Sequence, residues 1–428
     1  MPERHVVLDA ITSHPWIERA WFTGAGAVVI QPRAEALAVR PEPGVLIREH
    51  LEHWSEVYEW IYETGDAGQP ADLDLSGWRA SDTGEPLARE HMVEWIDRTV
   101  GLVREGNPRV VLELGCGSGL LLRRLHTEVE RYVGTDVSGV AVDRLRAAGL
   151  SGVSAVVAAA HEIGSAEVTG ALAGARPDCV LLNSVTQCFP GSGYLEAVVS
   201  DALELVSDGG RVIVGDFRHA GLADRYYRWL EPEAEGAVRR AVADEEFVFD
   251  PQLLARIAAR ATRPVSISVR AKTMTADTEL TRYRCDVVLH VSAEPTPPAA
   301  VAWRTLAGDR LAAVRALAEA NPVVVTGIPH ALLDDDPEGV TPQALRECLA
   351  GTGAIVGLGL DHPAQLEVCP PTGVPAREVP PPSEPAVQEP LTRFVARRLP
   401  EVVRDHLRRV LPGVPPPALT VVYGRSPR

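Results

Sequence analysis

The chain of 428 residues is 46% hydrophobic and 23% charged, which suits a soluble protein of about three compact units. Its 58 Asp and Glu residues outnumber its 42 Lys and Arg residues, and the net charge of -16 disfavours nucleic acid or an anionic membrane surface as a partner. No apolar run reaches the length of a membrane span and residues 1–10 lack a secretory apolar core, so we expect no membrane partner and a cytoplasmic location.

The first segment, residues 1–50, is predicted to contain a short helix at residues 7–13 and two strands near residues 17–21 and 27–31. These elements carry too little apolar surface to form a core by themselves. We therefore expect residues 1–50 to pack with residues 299–428, at the other end of the chain, in one small α+β subdomain that acts as a collar.

The second segment, residues 51–108, is predicted to form a helical cap. Trp54, Tyr58 and Tyr62 recur at a spacing that places them on one face of a helix. An amphipathic helix is predicted at residues 90–104. These aromatic residues could close over a bound cation, although such a stripe is more often simply core packing.

Residues 109–295 alternate short apolar strands with helices, which is the pattern of βαβ units on a parallel sheet. The predicted strands span residues 110–114, 131–136, 153–158, 178–184, 211–217, 265–271 and 284–291. Seven strands predict an α/β fold with a doubly wound, Rossmann-like sheet. A proline-rich link at residues 295–298 marks a boundary, and a second one, at residues 379–390, precedes a final helix at residues 391–410.

The strongest motif opens directly after the first strand of this sheet. Glycines there allow a sharp turn and let the backbone approach a nucleotide-like ligand. An acid at the start of the motif would repel a pyrophosphate but suits a cationic amino-acid head or a sulfonium. Asp136 ends the next strand, where a carboxylate can accept hydrogen bonds from ribose hydroxyls. This pattern predicts S-adenosylmethionine as the ligand, and the motif residues are Glu113, Gly115, Cys116, Gly117 and Gly119.

Six ordered motifs resemble those of the methyltransferase domains that interrupt the C-terminal subdomain of adenylation domains in nonribosomal peptide synthetases. Besides the glycine motif they are residues 81–86 (SDTGEP), 132–136 (YVGTD), 183–190 (NSVTQCFP), 215–218 (GDFR) and 279–286 (ELTRYRCD). The resemblance implies a class I methyltransferase that uses S-adenosylmethionine in natural-product biosynthesis, such as that of an antibiotic peptide. The outer segments resemble the interrupted host, but residues 419–428 contain no lysine for an acyl phosphate and the large adenylation core is missing, so we expect no amino-acid activation.

Further cosubstrate contacts are expected from Tyr58, Val137 and Asn183. Asn183 and Gln187 follow the fourth strand, at the sheet edge where α/β proteins bind ligands, and could hold an amine whose lone pair faces the methyl group. Asn183 could equally cap the following turn. We predict no metal site.

Other candidates for catalysis are Glu85, which could accept a proton from the substrate amine, and His161, which could act as a base. Either could instead be an ordinary solvated side chain. Asp216, Arg218 and Trp78 are predicted to contact the substrate.

Arg282 and Arg284 precede a predicted edge strand. We expect them to face solvent rather than a carrier protein.

We therefore expect N-methylation of an amino acid or of a carrier-bound aminoacyl or peptidyl unit, with a synthetase as a possible partner. C-methylation and O-methylation remain open because the motifs locate the methyl donor better than the acceptor. An epimerase or a cyclase that consumes S-adenosylmethionine could also use the same fold. A non-catalytic protein that docks a carrier or a synthetase is a further hypothesis.

Overall fold

The computed structural model describes residues 3–24, 26–65, 70–295, 299–320, 322–380 and 387–423. Its helices are α1 (Arg4–Thr12), α2 (Val45–Thr64), α3 (Arg89–Arg104), α4 (Leu122–Leu125), α5 (Gly139–Ala147), α6 (Ala166–Leu172), α7 (Ser192–Leu205), α8 (Ala223–Leu230), α9 (Ala234–Ala243), α10 (Pro251–Ala259), α11 (Glu279–Tyr283), α12 (Arg310–Ala320), α13 (Pro342–Cys348) and α14 (Pro390–Val410). None of these described helices is both long and apolar enough to cross a membrane.

The strands of the same residues are β1 (Ile17–Phe22), β2 (Val28–Pro32), β3 (Val110–Leu114), β4 (Arg131–Asp136), β5 (Val153–Val157), β6 (Cys179–Asn183), β7 (Arg211–Arg218), β8 (Val248–Phe249), β9 (Val265–Ala271), β10 (Arg284–Val291), β11 (Ala300–Ala302), β12 (Val324–Pro329), β13 (Ile355–Leu358), β14 (Gln365–Cys369), β15 (Val374–Pro375), β16 (Val387–Gln388) and β17 (Leu419–Val421).

The central sheet has the order β5-β4-β3-β6-β7-β10-β9 through the predicted core. Strands β3 to β7 are parallel to one another, and β10 lies antiparallel to both β7 and β9. Every residue of β3, β6 and β7 is buried, as their nearly continuous apolar sequences predict for strands covered on both faces. The predicted α/β fold with a Rossmann-like core is confirmed.

The sheet does not end at β9, however. Gly357 of β13 pairs with Arg270 of β9, and β14, β12 and β11 follow outward, while β15 pairs with another part of β9. The apolar side chains of these strands belong to the main hydrophobic core. They cover the side of that core that would be open if the sheet ended at β9. The seven strands predicted for residues 109–295 are all present, but the prediction of a collar that includes all of residues 299–428 was wrong, because residues 300–375 extend this sheet.

The two ends of the chain meet in a separate three-stranded sheet of β1, β2 and β17. Strand β17 pairs in parallel with β2, and α1 and α14 pack beside them around one apolar cluster that includes Ile11, Ile30 and Leu399. Helix α2 begins in this cluster with Leu46 and then runs to the central sheet. Residues 296–298, 381–386 and 424–428, which carry parts of the two predicted links and of the lysine-free tail, lie outside the described residues.

Candidate active site

One cavity lies at the carboxyl ends of β3, β4 and β6, the edge at which open α/β sheets bind ligands. Helix α2 and the segment between α2 and α3 contribute the opposite wall. The predicted site residues that line the cavity are Tyr58, Trp78, Glu113, Gly115, Cys116, Gly117, Asp136, Val137, Asn183 and Gln187. Glu85, Gly119, His161, Asp216 and Arg218 are not among its lining residues.

The glycine turn after β3 is shaped by two positions that need glycine for space and for backbone angle. Gly115 and Gly117 have φ values of +79° and +51°, in the left-handed region that side chains disfavour. A Cβ at Gly115 would lie 2.5 Å from Val185 Cγ2, and one at Gly117 would lie 2.5 Å from Tyr62 Oη. The turn therefore presents backbone to the cavity.

Gly119 serves packing instead of ligand contact. A Cβ at this position would lie 2.6 Å from Leu145 Cδ2, on α5. Its φ of +85° also requires glycine. The prediction that Gly119 contacts the cosubstrate is replaced by a role in seating the turn against α5.

Asp136 ties the glycine turn to the end of β4. Its Oδ2 accepts a hydrogen bond from the Gly117 N–H at 2.8 Å, and its Oδ1 accepts one from the Ser138 N–H at 2.9 Å. Burial raises the pKa of Asp136 above its usual range. The Val137 backbone N–H also hydrogen bonds to this carboxylate, so of its four lone-pair positions at least one remains for a hydroxyl donor in the cavity.

Glu113 is a buried acid without a cationic partner among the described residues. Its side chain is 3% exposed, and Tyr132 Oη donates a hydrogen bond to Oε2 at 2.9 Å. Burial, the largest cause, raises the pKa of Glu113 to about 8. Burial thus favours the uncharged form of this carboxyl group. A ligand that brings a positive charge beside it would stabilise the ionised form.

Aromatic residues of α2 form one wall of the cavity. Trp54, Tyr58 and Tyr62 follow one another along the helix with ring centroids 6.0–6.1 Å apart, and all three line the cavity. Trp78 also lines it and packs against Trp95 at 4.5 Å. The helical spacing read from the sequence thus places the aromatic face toward the site, where it excludes water and can contact a sulfonium.

The turn after β6 carries two amide side chains whose nitrogens are already engaged. Asn183 Nδ2 donates to Ser184 Oγ at 3.3 Å, and Gln187 Nε2 donates to the Ser184 carbonyl at 2.7 Å. Ser184 Oγ donates its own proton to Asp216 at 2.6 Å, so it must accept the hydrogen bond from Asn183. This fixes the orientation of the Asn183 amide. Asn183 Oδ1 and Gln187 Oε1 are buried and have no hydrogen-bond partner in the described residues.

Asp216 lies beneath this turn at the centre of a buried network. Its Oδ1 accepts a hydrogen bond from Trp95 Nε1 at 2.9 Å and lies 3.2 Å from Lys272 Nζ, while its Oδ2 lies 3.0 Å from Arg284 Nη1. Burial opposes ionisation most strongly, but the charges of Lys272 and Arg284 lower the pKa of Asp216 below its usual range. The carboxylate is fully enclosed, so the predicted contact with the substrate was wrong; Asp216 acts through Ser184 and Arg284.

Arg284 lines the cavity, although we expected it to face solvent. Its side chain is 11% exposed, its Nη1 donates hydrogen bonds to both the side chain and the carbonyl of Asp216, and its Nη2 lies 3.8 Å from Glu279. Glu279 in turn accepts hydrogen bonds from the N–H and hydroxyl of Ser81 at 2.9 and 3.0 Å. One signal in the sequence pointed to this: an arginine at the start of an apolar strand needs a buried partner.

Arg218 is also predicted to contact substrate, and the structure places it behind the cavity wall. Its guanidinium pairs with Asp244 at 2.6 Å and with Glu246 at 2.9 Å, and it lies over the ring of Tyr226 at 4.9 Å. Of these residues Glu246 lines the cavity. Arg218 therefore positions Glu246 and does not face the substrate.

Glu85 and His161 lie away from the cavity. Glu85 is exposed in a short turn closed by a bridge between Arg79 and Pro86. His161 Nδ1 is hydrogen bonded to Tyr194 Oη at 2.8 Å, and burial, the largest cause, lowers its pKa. Tyr194 lines the cavity and stands between His161 and the ligand space.

The donor end of the cavity fits S-adenosylmethionine. The bent glycine turn leaves room where side chains would collide, Glu113 lacks a cation, and Asp136 keeps at least one free lone pair. Glu113 would form an ion pair with the ammonium group of the ligand, and Asp136 would accept hydrogen bonds from its ribose hydroxyls. When bound, S-adenosylmethionine supplies a methyl group made electrophilic by its sulfonium.

Comparison with known proteins agrees with this geometry. Residues 112–212 match the family model of a methyltransferase domain. This range contains the glycine turn, Asp136, Asn183 and Gln187.

The chain is also similar to segments of large synthetases. It is 37% identical over 255 residues to a probable non-canonical nonribosomal peptide synthetase, CymA, of Salinispora arenicola, covering 57% of this chain and 3% of that protein. It is 29% identical over 333 residues to the chondramide synthase of Chondromyces crocatus, covering 70% and 8%. It is 30% identical over 353 residues to the beauvericin nonribosomal cyclodepsipeptide synthetase of Beauveria bassiana, covering 75% and 11%.

The chain thus spans 3% to 11% of the length of these relatives. The match to the methyltransferase model covers the part of the cavity wall that β3, β4 and β6 contribute. The predicted relationship, enzyme class and methyl donor are confirmed. The chain carries an S-adenosylmethionine-dependent methyltransferase domain that is homologous to part of nonribosomal peptide synthetases.

Proposed function

We propose that the chain methylates the amine nitrogen of an amino acid, or of an aminoacyl or peptidyl unit held on a carrier protein. One observation carries the choice of nitrogen: two buried amide oxygens at the acceptor end, Asn183 Oδ1 and Gln187 Oε1, lack donors in the described structure. A buried acceptor without a partner costs about 1–3 kcal/mol. A primary amine brings two N–H donors and keeps its lone pair free to attack.

Other nucleophiles suit the two oxygens less well. A hydroxyl group brings a single donor, and a carbon nucleophile brings none, so either would leave at least one amide oxygen without a partner. The names of the relatives, which are peptide and depsipeptide synthetases, support an aminoacyl or peptidyl acceptor.

The amine has to bind in its neutral form. The acids at the acceptor end are already engaged, because Glu246 pairs with Arg218, and Glu279 accepts from Ser81 and lies beside Arg284. An α-amino group has a pKa of about 7.7–8.0, so a large neutral fraction exists in solution near pH 8. The amine therefore gives its first proton to water before binding, and the chain contributes orientation.

Orientation and exclusion of water are the work of the chain's own residues. Asn183 and Gln187 direct the amine through their oxygens, and Ser184 and Asp216 fix the Asn183 amide from behind. Tyr58 and Trp54 close the α2 side of the cavity. Fixing the nucleophile in line with a methyl group supplies most of the acceleration expected for such a displacement.

The test is mass spectrometry of full-length chain with S-adenosylmethionine and an amino-acid thioester. A gain of one methylene unit with retention of an α-deuterium label is expected for N-methylation. Loss of the deuterium label without addition of a methyl group would indicate epimerisation. Formation of methylthioadenosine would indicate intramolecular attack on the sulfonium. Faster methylation of the matching α-hydroxy thioester would overturn the proposal in favour of O-methylation.

The Gln187→Leu variant tests the positioning role. It removes one acceptor but keeps the side-chain size, so kcat/KM for the amine should fall about 10-fold or more while the Kd of the methyl donor stays within about threefold. Gln343→Leu, at a half-buried position of α13 outside the cavity, is the matched control and should leave both values unchanged. Equal kinetics of the two variants would contradict the assignment of Gln187.

A further inference from the structure

A second cavity, about 820 Å³ in volume, lies at the opposite end of the sheet. It opens at the amino ends of β3, β6 and β7 and is closed by the segment between α13 and β13. The methyltransferase core and the strands that extend its sheet therefore meet around this cavity. None of its lining residues takes part in the chemistry described above.

Arg211, the first residue of β7, is a buried cation in this cavity. It is 6% exposed, and its Nη2 donates a hydrogen bond to the Val103 carbonyl at 2.7 Å. No carboxylate of the described residues forms an ion pair with it. The chain makes room for the guanidinium with Gly106, where a Cβ would lie 2.0 Å from Nη2. A buried charge without an opposite charge is unfavourable, so an anion bound beside this guanidinium would stabilise it.

A second guanidinium in the same cavity offers a donor. Arg346 Nε is buried without a hydrogen-bond partner, and its guanidinium lies no closer than 3.9 Å to the carboxylate of its neighbour Glu347. His290 is hydrogen bonded to the Pro371 backbone and burial lowers its pKa to about 4, so its neutral ring offers Nε2 as an acceptor and not as a donor. His290 pairs directly with Arg211 across β10 and β7, so the two side chains belong to neighbouring positions of one sheet.

The carboxylates that line the cavity are engaged with other groups. Glu105 pairs with Arg270 at 2.6 Å. Asp178 accepts hydrogen bonds from two backbone N–H groups at the start of β3 and from a serine hydroxyl. Asp208 pairs with Arg263 at 2.8 Å. The acids therefore leave Arg211 without an ion pair among the described residues, and Arg346 with only the 3.9 Å contact to Glu347.

We propose that this cavity binds an oxyanion of the phosphate class, held by the guanidinium groups of Arg211 and Arg346. The planar guanidinium group matches the oxygens of a phosphate and can bond two of them at once. The chain as a whole carries a charge of -16, so a cavity with a surplus of positive charge runs against its general electrostatic character. The ligand is a free phosphate or a phosphate monoester.

The test is isothermal titration of the full chain with inorganic phosphate at low ionic strength. We expect one saturable site, with a Kd at least about 10-fold weaker in Arg346→Gln. Arg260→Gln is the matched control, because this arginine is exposed and lies outside the cavity. Like Arg346, it has a glutamate as its carboxylate partner, in this case Glu196. Tighter binding of glycerol 3-phosphate than of inorganic phosphate would identify the monoester as the ligand, and the reverse would identify free phosphate.

Arg211→Met supplies a second readout that does not depend on titration. Removal of an unpaired buried charge should leave the thermal midpoint of the phosphate-free chain unchanged or higher, and should abolish its increase on addition of phosphate. Absence of saturable binding in the wild type up to about 10 mM phosphate would overturn the proposal. Equal phosphate binding by Arg346→Gln and Arg260→Gln would overturn it as well.

Discussion

At the donor end of the methyl-transfer cavity, Glu113 and Asp136 are buried without a cationic side chain, whereas at the acceptor end Asp216 lies between Lys272 and Arg284. The pKa values follow this difference: burial raises that of Glu113, while the two cations outweigh burial and lower that of Asp216. The acceptor-end network is complete in the protein itself. The donor end reaches charge balance only with a cationic ligand.

The largest expected effect comes from breaking the complete network. Asp216→Asn removes the carboxylate that Lys272 and Arg284 share. Lys272 keeps Asp286 at 2.6 Å and Arg284 keeps Glu279 at 3.8 Å, so we expect the free energy of unfolding to fall by about 1–3 kcal/mol. Urea denaturation measures the change. Asp143→Asn, which removes an exposed carboxylate paired with Arg146, should cost less than about 1 kcal/mol. If Asp216→Asn costs as little stability as Asp143→Asn, the network does not hold the acceptor end together.

The donor end should respond in ligand affinity. Glu113→Gln resembles the protonated acid but cannot pair with an ammonium group, so the Kd of S-adenosylmethionine should rise about 10- to 100-fold. Calorimetry measures it, and Glu167→Gln, on exposed α6, is the control with unchanged affinity. Unchanged binding in Glu113→Gln would mean that the ammonium group lies elsewhere.

The same variant has a defined pH signature. The pKa of Glu113 is about 8 in the folded chain against an ordinary 4.5, so the folded state keeps a proton that the unfolded state loses. Its contribution to stability is therefore fully present below about pH 4.5 and is lost as the pH rises through about 8, by up to about 1.4 kcal/mol per pH unit. Glu113→Gln should lack this part of the pH dependence. Binding of the donor to the wild type at pH 7 should also release a proton.

A smaller effect is expected from the shape of the glycine turn. Gly117→Ala adds a Cβ at a positive φ and 2.5 Å from Tyr62 Oη, so we expect a loss of about 1–2 kcal/mol in stability and weaker donor binding. Thermal unfolding measures the first quantity. Combination with Tyr62→Phe removes the clash and should recover part of the loss. If the double variant is no better than Gly117→Ala, backbone strain alone explains the effect.

The smallest effect is expected at His161. Since Tyr194 separates it from the cavity, His161→Gln should change kcat by less than about threefold and should leave the pH profile of kcat/KM in place. A drop of more than about 10-fold with a shifted profile would place this imidazole in the reaction and would contradict the geometry.

Local sequence was a good guide to the donor end. The glycine turn and Asp136 follow directly from two strand ends, and short-range backbone requirements determine them. The same reasoning did not place Glu85 and His161 correctly. The neighbouring motifs do not reveal that the Glu85 side chain is exposed to solvent or that His161 is hydrogen bonded to Tyr194.

The sequence by itself determined the Rossmann-like core, the methyl donor and the aromatic wall of α2, because strand periodicity, glycine geometry and helical spacing are local properties. Only the tertiary structure decided that Arg284 and Asp216 neutralise each other, that Ser81 meets Glu279 across 198 residues, and that residues 300–369 extend the sheet. These contacts join segments that are distant in the chain, so they depend on how the whole core packs and leave no periodic trace in any one of them.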